Sequence, residues 1–246
     1  MSNVYDDEKF FKEYSKMYRS QKGLEGAGEW HQLKPLFPDL TDKKVLDLGC
    51  GYGWHCKYAV ECGADGVVGI DLSEKMIATA RERNADERIN YKVCGMDAYD
   101  YPQDTFDLVV SNLVLHYIED LNGIYKNVYR TLKDNGIFLF NIEHPVFTGS
   151  VNQDWIYDNE GNALYWPVDN YFYPGLRQTH FLGQEVTKQH HTLTQIINGL
   201  LQCGFFIERV EEAMPEQGMM GFPGMKDEMR RPMMLLVKAS KITDTR

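Results

Sequence analysis

The stretch Val45-Leu46-Asp47-Leu48-Gly49-Cys50-Gly51-Tyr52-Gly53 decides the fold of this chain. An apolar strand that contains an acid runs into a turn with three glycines, and an amphipathic segment, 54–62, follows at once. Glycine lets a ligand approach the bare backbone closely and adopts positive φ without strain. The pattern therefore predicts a strand, a loop and a helix that together hold a nucleotide-like ligand.

Two more acids follow later strands. Asp71 closes the next apolar strand and lies 22 residues beyond Gly49, about where a nucleotide-binding fold places the carboxylate that binds ribose hydroxyls. Asp97 follows the strand 91–94, where a carboxylate can accept a hydrogen bond from an adenine N6 amine. Asp47, in the first strand, would repel a pyrophosphate but suits a cationic α-amino group.

Two cofactor classes compete for such a loop, NAD(P) and S-adenosylmethionine (SAM). The dinucleotide fingerprint is G-x-G-x-x-G, whereas this chain has G-x-G-x-G, with the bulky Trp54 where the third glycine should be. Acids at three successive strand ends also fit a cationic adenosyl ligand better than an anionic dinucleotide. SAM is therefore the favoured cofactor, and an NAD(P)-dependent enzyme is the alternative.

The ordered motifs V-L-D-L-G-C-G-Y-G, G-I-D-L-S, M-D-A and F-D-L-V-V-S-N-L-V-L-H-Y lie within residues 43–143. Together they resemble the class I SAM-dependent methyltransferases, in particular the small-molecule branch with a methyltransferase type 11 domain, which includes the ubiquinone and menaquinone methyltransferases. The resemblance implies a seven-stranded sheet, SAM as cofactor with S-adenosylhomocysteine (SAH) as product, and in-line methyl transfer to an O, N or C nucleophile of a small-molecule acceptor.

The resemblance also guides the choice of cofactor contacts. Arg19 lies on an N-terminal helix that related enzymes fold over the cofactor, and its guanidinium suits the SAM carboxylate. Ser111 follows the fourth strand, where the family places its methyl-transfer side; no Pro-Pro-aromatic segment is present there, which weighs against DNA N-methylation. The predicted contacts are Arg19, Asp47, Gly49, Gly51, Gly53, Trp54, Asp71, Leu72, Met76, Asp97, Ala98, Ser111, Asn112 and Leu113.

Strand and helix patterns alternate along the chain, which is typical of an α/β fold with a Rossmann-like, mostly parallel sheet and helices on both faces. The predicted strands are 44–48, 66–70, 90–94, 106–111 and 136–142, and the predicted helices are 7–19, 26–36, 54–62, 74–86, 121–133 and 192–203. One more strand begins at Phe205, and another covers 232–237.

We expect a single domain over 1–246, with an N-terminal helical cap (1–36) and an insertion (144–188) after the fifth strand. The insertion contains a hairpin around 158–162 and serves as a lid or acceptor wall.

SAM carries its own leaving group, so the protein must mainly align the acceptor with the methyl group. A general base helps if the acceptor is a hydroxyl or an acidic carbon, and histidine is the usual choice. His144 follows the fifth strand at the cleft edge, and His191 precedes a helix; we predict these two as catalytic, with His116 and His190 as weaker candidates. The alternatives are a SAM- or SAH-binding protein that transfers nothing and, less favoured, a protein or tRNA methyltransferase.

Composition limits the kinds of partner that this chain is expected to bind. The net charge of −10 and the lack of a basic cluster argue against a nucleic-acid partner, and no apolar run is long enough for a membrane span. The five cysteines lack C-x-x-C spacing, so we expect no metal site and reduced thiols in a cytoplasmic protein. A homodimer is a further expectation.

Overall fold

The computed structural model describes residues 4–150 and 152–242. Its strands are β1 (Lys44–Leu48), β2 (Gly66–Asp71), β3 (Ile89–Val93), β4 (Phe106–Asn112), β5 (Leu132–Glu143), β6 (Ile156–Tyr157), β7 (Ala163–Tyr165), β8 (Gly175–Phe181), β9 (Gln184–His190), β10 (Phe205–Ala213) and β11 (Met234–Lys241). Its helices are α1 (Glu8–Ser15), α2 (Tyr18–Lys22), α3 (Trp30–Leu33), α4 (Trp54–Glu61), α5 (Glu74–Arg83), α6 (Leu121–Thr131), α7 (Pro145–Thr148), α8 (Leu193–Gln202) and α9 (Met225–Glu228).

Seven strands form one sheet in the order β10-β11-β5-β4-β1-β2-β3. Strands β1 to β5 pair in parallel, whereas β11 runs antiparallel to both of its neighbours, β5 and β10. This confirms the predicted Rossmann-like, mostly parallel sheet. The strand order reverses between β1 and β4, and ligands of such sheets bind at the carboxyl ends of the strands beside this reversal.

Helices cover both faces of the sheet, as predicted. In β5, Phe138 and Phe140 join the core under α6 and α8, while Leu139 between them joins the core under α4 and α5. Successive side chains of a strand point to opposite faces, so one strand contributes to both layers. All three side chains are completely buried. These two cores fix the strand ends that carry the site.

The N-terminal region is less helical than its sequence pattern indicates. The expected helix over 7–19 is instead two helices, α1 and α2, because Met17 adopts an extended backbone with φ −60° and ψ 145°. The expected helix over 26–36 is reduced to α3 and a 3-10 turn at Lys34–Leu36. Pro35 has no N–H with which to continue a helix, which accounts for the short length of α3.

The segment between β5 and α8 holds α7 and two antiparallel hairpins, β6–β7 and β8–β9. The first hairpin agrees with the prediction around 158–162. The second has no counterpart among the predicted elements, because buried positions in its strands are polar (Arg177, Thr179 and Lys188) and leave no apolar alternation to detect. Its two-residue turn, Leu182-Gly183, has positive φ at both positions, as tight hairpin turns of type I′ require.

Candidate active site

The glycine loop after β1 has an open inner face. All three glycines have positive φ, at +74° for Gly49, +51° for Gly51 and +78° for Gly53. A Cβ on Gly49 would lie 2.4 Å from a methyl of Val114, and one on Gly53 would lie 2.2 Å from the Tyr91 hydroxyl, whereas one on Gly51 would meet nothing within 4 Å. The outer two glycines therefore permit close packing, and the middle one presents bare backbone to the cleft.

Asp71 ties this loop to the end of β2. Its Oδ2 accepts a hydrogen bond from the Gly51 N–H at 2.9 Å, and its Oδ1 accepts one from the Ser73 N–H at 2.8 Å. The residue is only partly buried, and each carboxylate oxygen keeps a second lone pair for a ligand hydroxyl. Burial raises the pKa of Asp71 to about 6, so the group is ionised at neutral pH.

Apolar and acidic side chains meet beside Asp71. Leu72 is 54% exposed, and Asp97 and Ala98 are also exposed. A Cβ added to Gly95 would meet Oδ1 of Asp97 at 2.6 Å and Cδ1 of Leu72 at 3.6 Å, so these two side chains border one small patch. An apolar surface next to a carboxylate suits the face and the N6 amine of an adenine ring.

Other predicted cofactor contacts are buried behind the loop. Asp47 is 1% exposed, and its Oδ2 accepts a hydrogen bond from the Cys56 thiol at 3.2 Å; burial raises the pKa of Asp47 to about 7. Met76 is 2% exposed, and the Ser111 hydroxyl donates to the carbonyl of Leu48 at 3.0 Å. The side chains of these residues support the loop and strands rather than face the cleft.

Trp54, at the start of α4, packs its indole against the N-terminal region. The ring lies close to Gly23, since a Cβ there would be 2.9 Å from the indole carbons. The indole N–H is buried and has no hydrogen-bond partner in the described part of the chain. The structure thus places Trp54 between the cofactor loop and the N-terminal region.

Arg19 belongs to a polar network that the sequence did not suggest. Its Nη2 donates to Oε2 of Glu29 at 2.7 Å, and the Asn112 amide donates to Oε1 of the same carboxylate at 3.2 Å. Asn141 donates in turn to Asn112. Burial pushes the pKa of Glu29 upward, but the Arg19 charge and the hydrogen bonds to the carboxylate together outweigh burial and leave that pKa below its usual value. Glu29 therefore anchors the N-terminal region to the ends of β4 and β5.

The remaining predicted contact, Leu113, directly follows β4. It is partly buried and has φ +57°, and its N–H donates to the carbonyl of Asn141 at 2.8 Å. The bend turns the chain away from the sheet at the carboxyl edge. Leu113 therefore lies at the predicted edge of the cleft.

His144, a predicted base, has both ring nitrogens engaged. Its Nδ1 accepts the Val146 N–H at 3.0 Å and thereby caps α7, so the ring proton is on Nε2, which lies 3.0 Å from Oε1 of Glu212. Both ring nitrogens of His190 are also engaged, Nδ1 with the Thr148 hydroxyl and Nε2 with the Tyr171 carbonyl. The geometry supports a structural role for both rings and leaves the prediction of a base at His144 without support.

His191, the second predicted catalytic residue, uses one ring nitrogen. Its Nε2 lies 2.8 Å from the carbonyl oxygen of Ile118 and donates to it. The ring also lines a cavity of about 240 Å³ between α6 and α8. His191 therefore keeps Nδ1 as an acceptor and stays a candidate for acceptor contact.

A buried charged cluster closes the end of β5. Oε1 of Glu143 lies 2.5 Å from Nζ of Lys188, its Oε2 accepts from the Gln153 amide at 3.2 Å, and Nε2 of His116 lies 3.7 Å from Oε1. Glu143, Lys188 and His116 are 7%, 4% and 3% exposed. Nδ1 of His116 is buried and has no partner among the described residues. Burial lowers the pKa of His116 to about 4, so the ring is neutral at pH 7.

The N-terminal segment crosses the carboxyl edge of the sheet. Oδ1 of Asp6 accepts from the Ser73 hydroxyl at 2.6 Å, at the start of α5, and the Tyr5 and Tyr117 hydroxyls are 3.0 Å apart. The ring centroid of Phe10 is 5.9 Å from that of Phe181, at the tip of β8. The N-terminal segment and the β8–β9 hairpin therefore contact each other.

Aromatic residues of the 144–188 segment, which the sequence suggested as an acceptor wall, partly serve another purpose. The Arg231 guanidinium lies 4.1 Å from the Trp166 ring centroid and 4.7 Å from that of Phe147. Arg230 lies 4.6 Å from the centroid of Trp155. These cation–π contacts join the segment to the chain before β11, so the tryptophans stack on arginines of this chain.

These features fit an adenosyl cofactor. Gly51 offers open backbone, Asp71 has lone pairs for ribose hydroxyls, and Leu72 and Asp97 provide an apolar face with a carboxylate. No group of three or more His, Cys, Asp or Glu within 4–150 and 152–242 is arranged to hold a metal ion. In the same residues, no helix has the length and apolar character to cross a membrane. The fold and site define an enzyme of the class I methyltransferase type, with an adenosyl cofactor.

Comparison with known proteins identifies the family. Residues 46–140 match the family model described as a methyltransferase domain. A Listeria monocytogenes structure assigned to the SAM-dependent methyltransferases is 48% identical, with a TM-score of 0.86 over 90% of this chain and 100% of that one. A SAM-dependent methyltransferase from Mesorhizobium loti is 42% identical, with a TM-score of 0.82 over 89% and 100%. The chain belongs to the SAM-dependent methyltransferase family, which confirms the predicted enzyme class and cofactor.

Relatives with a named substrate align over less of the chain. Malonyl-[acyl-carrier protein] O-methyltransferase of Salmonella typhimurium is 31% identical over 148 residues, 58% of each protein. Phosphoethanolamine N-methyltransferase 3 of Arabidopsis thaliana is 34% identical over 119 residues, 48% of this chain and 24% of the relative. The chain therefore spans less than two thirds of the length of each of these relatives.

Proposed function

We propose that this enzyme transfers the methyl group of SAM to an O, N or C nucleophile of a small molecule that it encloses at the carboxyl edge of its sheet. The observation that carries the proposal is the contact between Phe10 and Phe181, with ring centroids 5.9 Å apart. In this proposal the contact joins the N-terminal cap (1–36) to the 144–188 segment, which serves as the lid over the site. A macromolecular acceptor would have to separate these two segments, whereas a small-molecule acceptor would not.

The cofactor would be held by the loop and the strand ends. In this proposal the ribose binds Asp71, the adenine lies on Leu72 with its amine at Asp97, and the amino-acid tail follows the loop past Gly51. In the described part of the chain Arg19 uses one N–H donor on Glu29, and a guanidinium carries five, so others are available to the SAM carboxylate. The acids found on this path match the cationic charge of the cofactor.

The chemistry proposed for this chain's own residues is alignment, exclusion of water and proton removal. SAM supplies an electrophilic methyl group with a good leaving group, so positioning the acceptor accounts for much of the rate. Phe10 and Phe181 would exclude water from the reacting atoms. His116 replaces His144 as the favoured base, because its buried Nδ1 has no hydrogen-bond partner among the described residues. His191, at the end of β9, is proposed as an acceptor contact.

Labelled SAM tests the proposal directly. Purified enzyme is incubated with methyl-labelled SAM and, separately, with the small-molecule and the macromolecular fractions of a cell extract. Label that enters the small-molecule fraction supports the proposal, and Asp71→Ala, which cannot hold the ribose, serves as the control for other enzymes in the extract. Label that enters only protein or RNA would refute the small-molecule acceptor. SAH binding without transfer to either fraction would favour the non-catalytic alternative.

A further inference from the structure

The charged cluster at the end of β5 joins two parts of the chain that are far apart in sequence. Glu143 belongs to the central sheet and His116 to the 3-10 turn Leu115–Tyr117 after β4, whereas Lys188 and Gln153 both belong to the segment between β5 and α8. Lys188 and Gln153 also contact each other, with Nζ of the lysine 3.0 Å from Oε1 of the glutamine. The carboxylate of Glu143 is therefore shared between the lid and the histidine.

We propose that Lys188 and Gln153 are positioning residues, which hold the Glu143 carboxylate so that His116 keeps its proton on Nε2 and its bare Nδ1 directed to the acceptor. This rests on the proposed function, in which His116 is the base. It adds that the lid carries part of the catalytic apparatus, because the base has its correct tautomer only while Lys188 and Gln153 are docked.

The geometry supports each step. A buried carboxylate needs a partner, and Lys188 at 2.5 Å supplies a full charge while Gln153 supplies an N–H. The N–H edge of a neutral imidazole is attracted to a nearby carboxylate, so the His116 proton favours Nε2, which lies 3.7 Å from Oε1. The second ring nitrogen is then an acceptor, and no side chain or backbone group in the described residues occupies it.

The surroundings of His116 keep the ring neutral. Burial, Lys188 and His191 lower its pKa, and the charge of Glu143 raises it. The neighbouring Tyr117 ring, 4.4 Å away between centroids, is uncharged because burial raises the pKa of its hydroxyl. Its partner Tyr5, on the N-terminal segment, also has a pKa raised by burial. Removal of the Lys188 charge should therefore raise the pKa of His116.

Nuclear magnetic resonance of the side-chain nitrogens tests this without any acceptor. Long-range proton–nitrogen spectra of labelled full-length protein report the tautomer and the pKa of each histidine, and His116→Gln identifies the signals of His116 by their loss. We expect Nε2–H in the wild type. In Lys188→Met we expect the pKa of His116 to rise by about one pH unit, since an unbalanced neighbouring carboxylate favours the charged ring.

Two controls separate positioning from general destabilisation. Lys188→Arg restores the charge and should restore the wild-type titration. Lys238→Met removes a lysine of β11 whose Nζ lies 3.3 Å from Glu208 of β10, and it should leave His116 unchanged. A proton on Nδ1 of His116 in the wild type overturns the inference, and this result does not depend on whether Lys188→Met folds. An unaltered pKa of His116 in a folded Lys188→Met overturns it as well. Binding of SAH to the wild type is measured separately by titration. A failure to bind SAH would count against the proposed function and not against this inference.

Discussion

The middle glycine of the loop offers a clean test of the cofactor site. Gly51→Ala adds a methyl at a position where nothing lies within 4 Å, so the change creates no clash inside the protein. Its φ of +51° does impose strain on an alanine, about 1–2 kcal/mol. For a chain of this size, each 1 kcal/mol lowers Tm by about 2–4 °C. The variant should therefore fold with a modestly reduced Tm.

The effect on binding should be separate and larger. If the cofactor lies against Gly51, the new methyl overlaps it, and such overpacking typically costs about 1–3 kcal/mol. That range corresponds to a dissociation constant for SAH raised about 5- to 150-fold. Isothermal titration calorimetry with SAH measures the constant, and thermal unfolding without ligand measures the strain.

Gly161→Ala is the matched control. Gly161 also has a positive φ, +85°, with nothing within 4 Å of an added Cβ, but it lies at the tip of the β6–β7 hairpin. It should show a similar fall in Tm and an unchanged SAH affinity. If Gly51→Ala is folded and binds SAH as tightly as the wild type, the assignment of this loop face to the cofactor is refuted.

Three further changes test other parts of the site. Because burial raises the pKa of Asp71 to about 6 and an ionised carboxylate accepts stronger hydrogen bonds, SAH affinity should fall as the pH is lowered through about 6; calorimetry should find this dependence absent in Asp71→Asn. Asp97→Leu should weaken SAH binding by about 10- to 150-fold and abolish the preference for SAH over S-inosylhomocysteine, which lacks the N6 amine; an unchanged preference would contradict the adenine assignment. His144→Ala should lower the free energy of unfolding in urea by about 1 kcal/mol through loss of a helix cap, with SAH affinity unaffected; intact stability would contradict the capping role.

The central sheet was predictable from sequence because its strands obey simple rules. Leu46 and Val109 are buried in apolar runs, which parallel strands covered on both faces require. The helices between them carry clear start signals, such as the Ser73 hydroxyl that accepts the Met76 N–H at 3.1 Å. Glycines with positive φ then mark the cofactor loop, so this part of the site followed from the same stretch of sequence.

The cluster at the end of β5 was harder to predict because its buried residues are charged. Lys188 and Glu143 are each well buried, yet neither stands out in sequence, because charged residues are almost always exposed unless they are paired. Glu29 was missed for the same reason. His144 attracted attention through its place after β5, but a histidine before a proline can equally cap the following helix, as the bond from the Val146 N–H shows. Pairings between residues distant in sequence decided the roles of Lys188, Glu143 and Glu29.

A crystal structure with SAH is the most direct test of the predicted cofactor contacts. The account predicts ribose hydroxyl oxygens within about 3 Å of the Asp71 carboxylate, the adenine amine at Asp97, and the amino-acid tail along the loop past Gly51. A complex with SAH elsewhere, such as in the cavity between α6 and α8, or with its ribose away from Asp71, would contradict it.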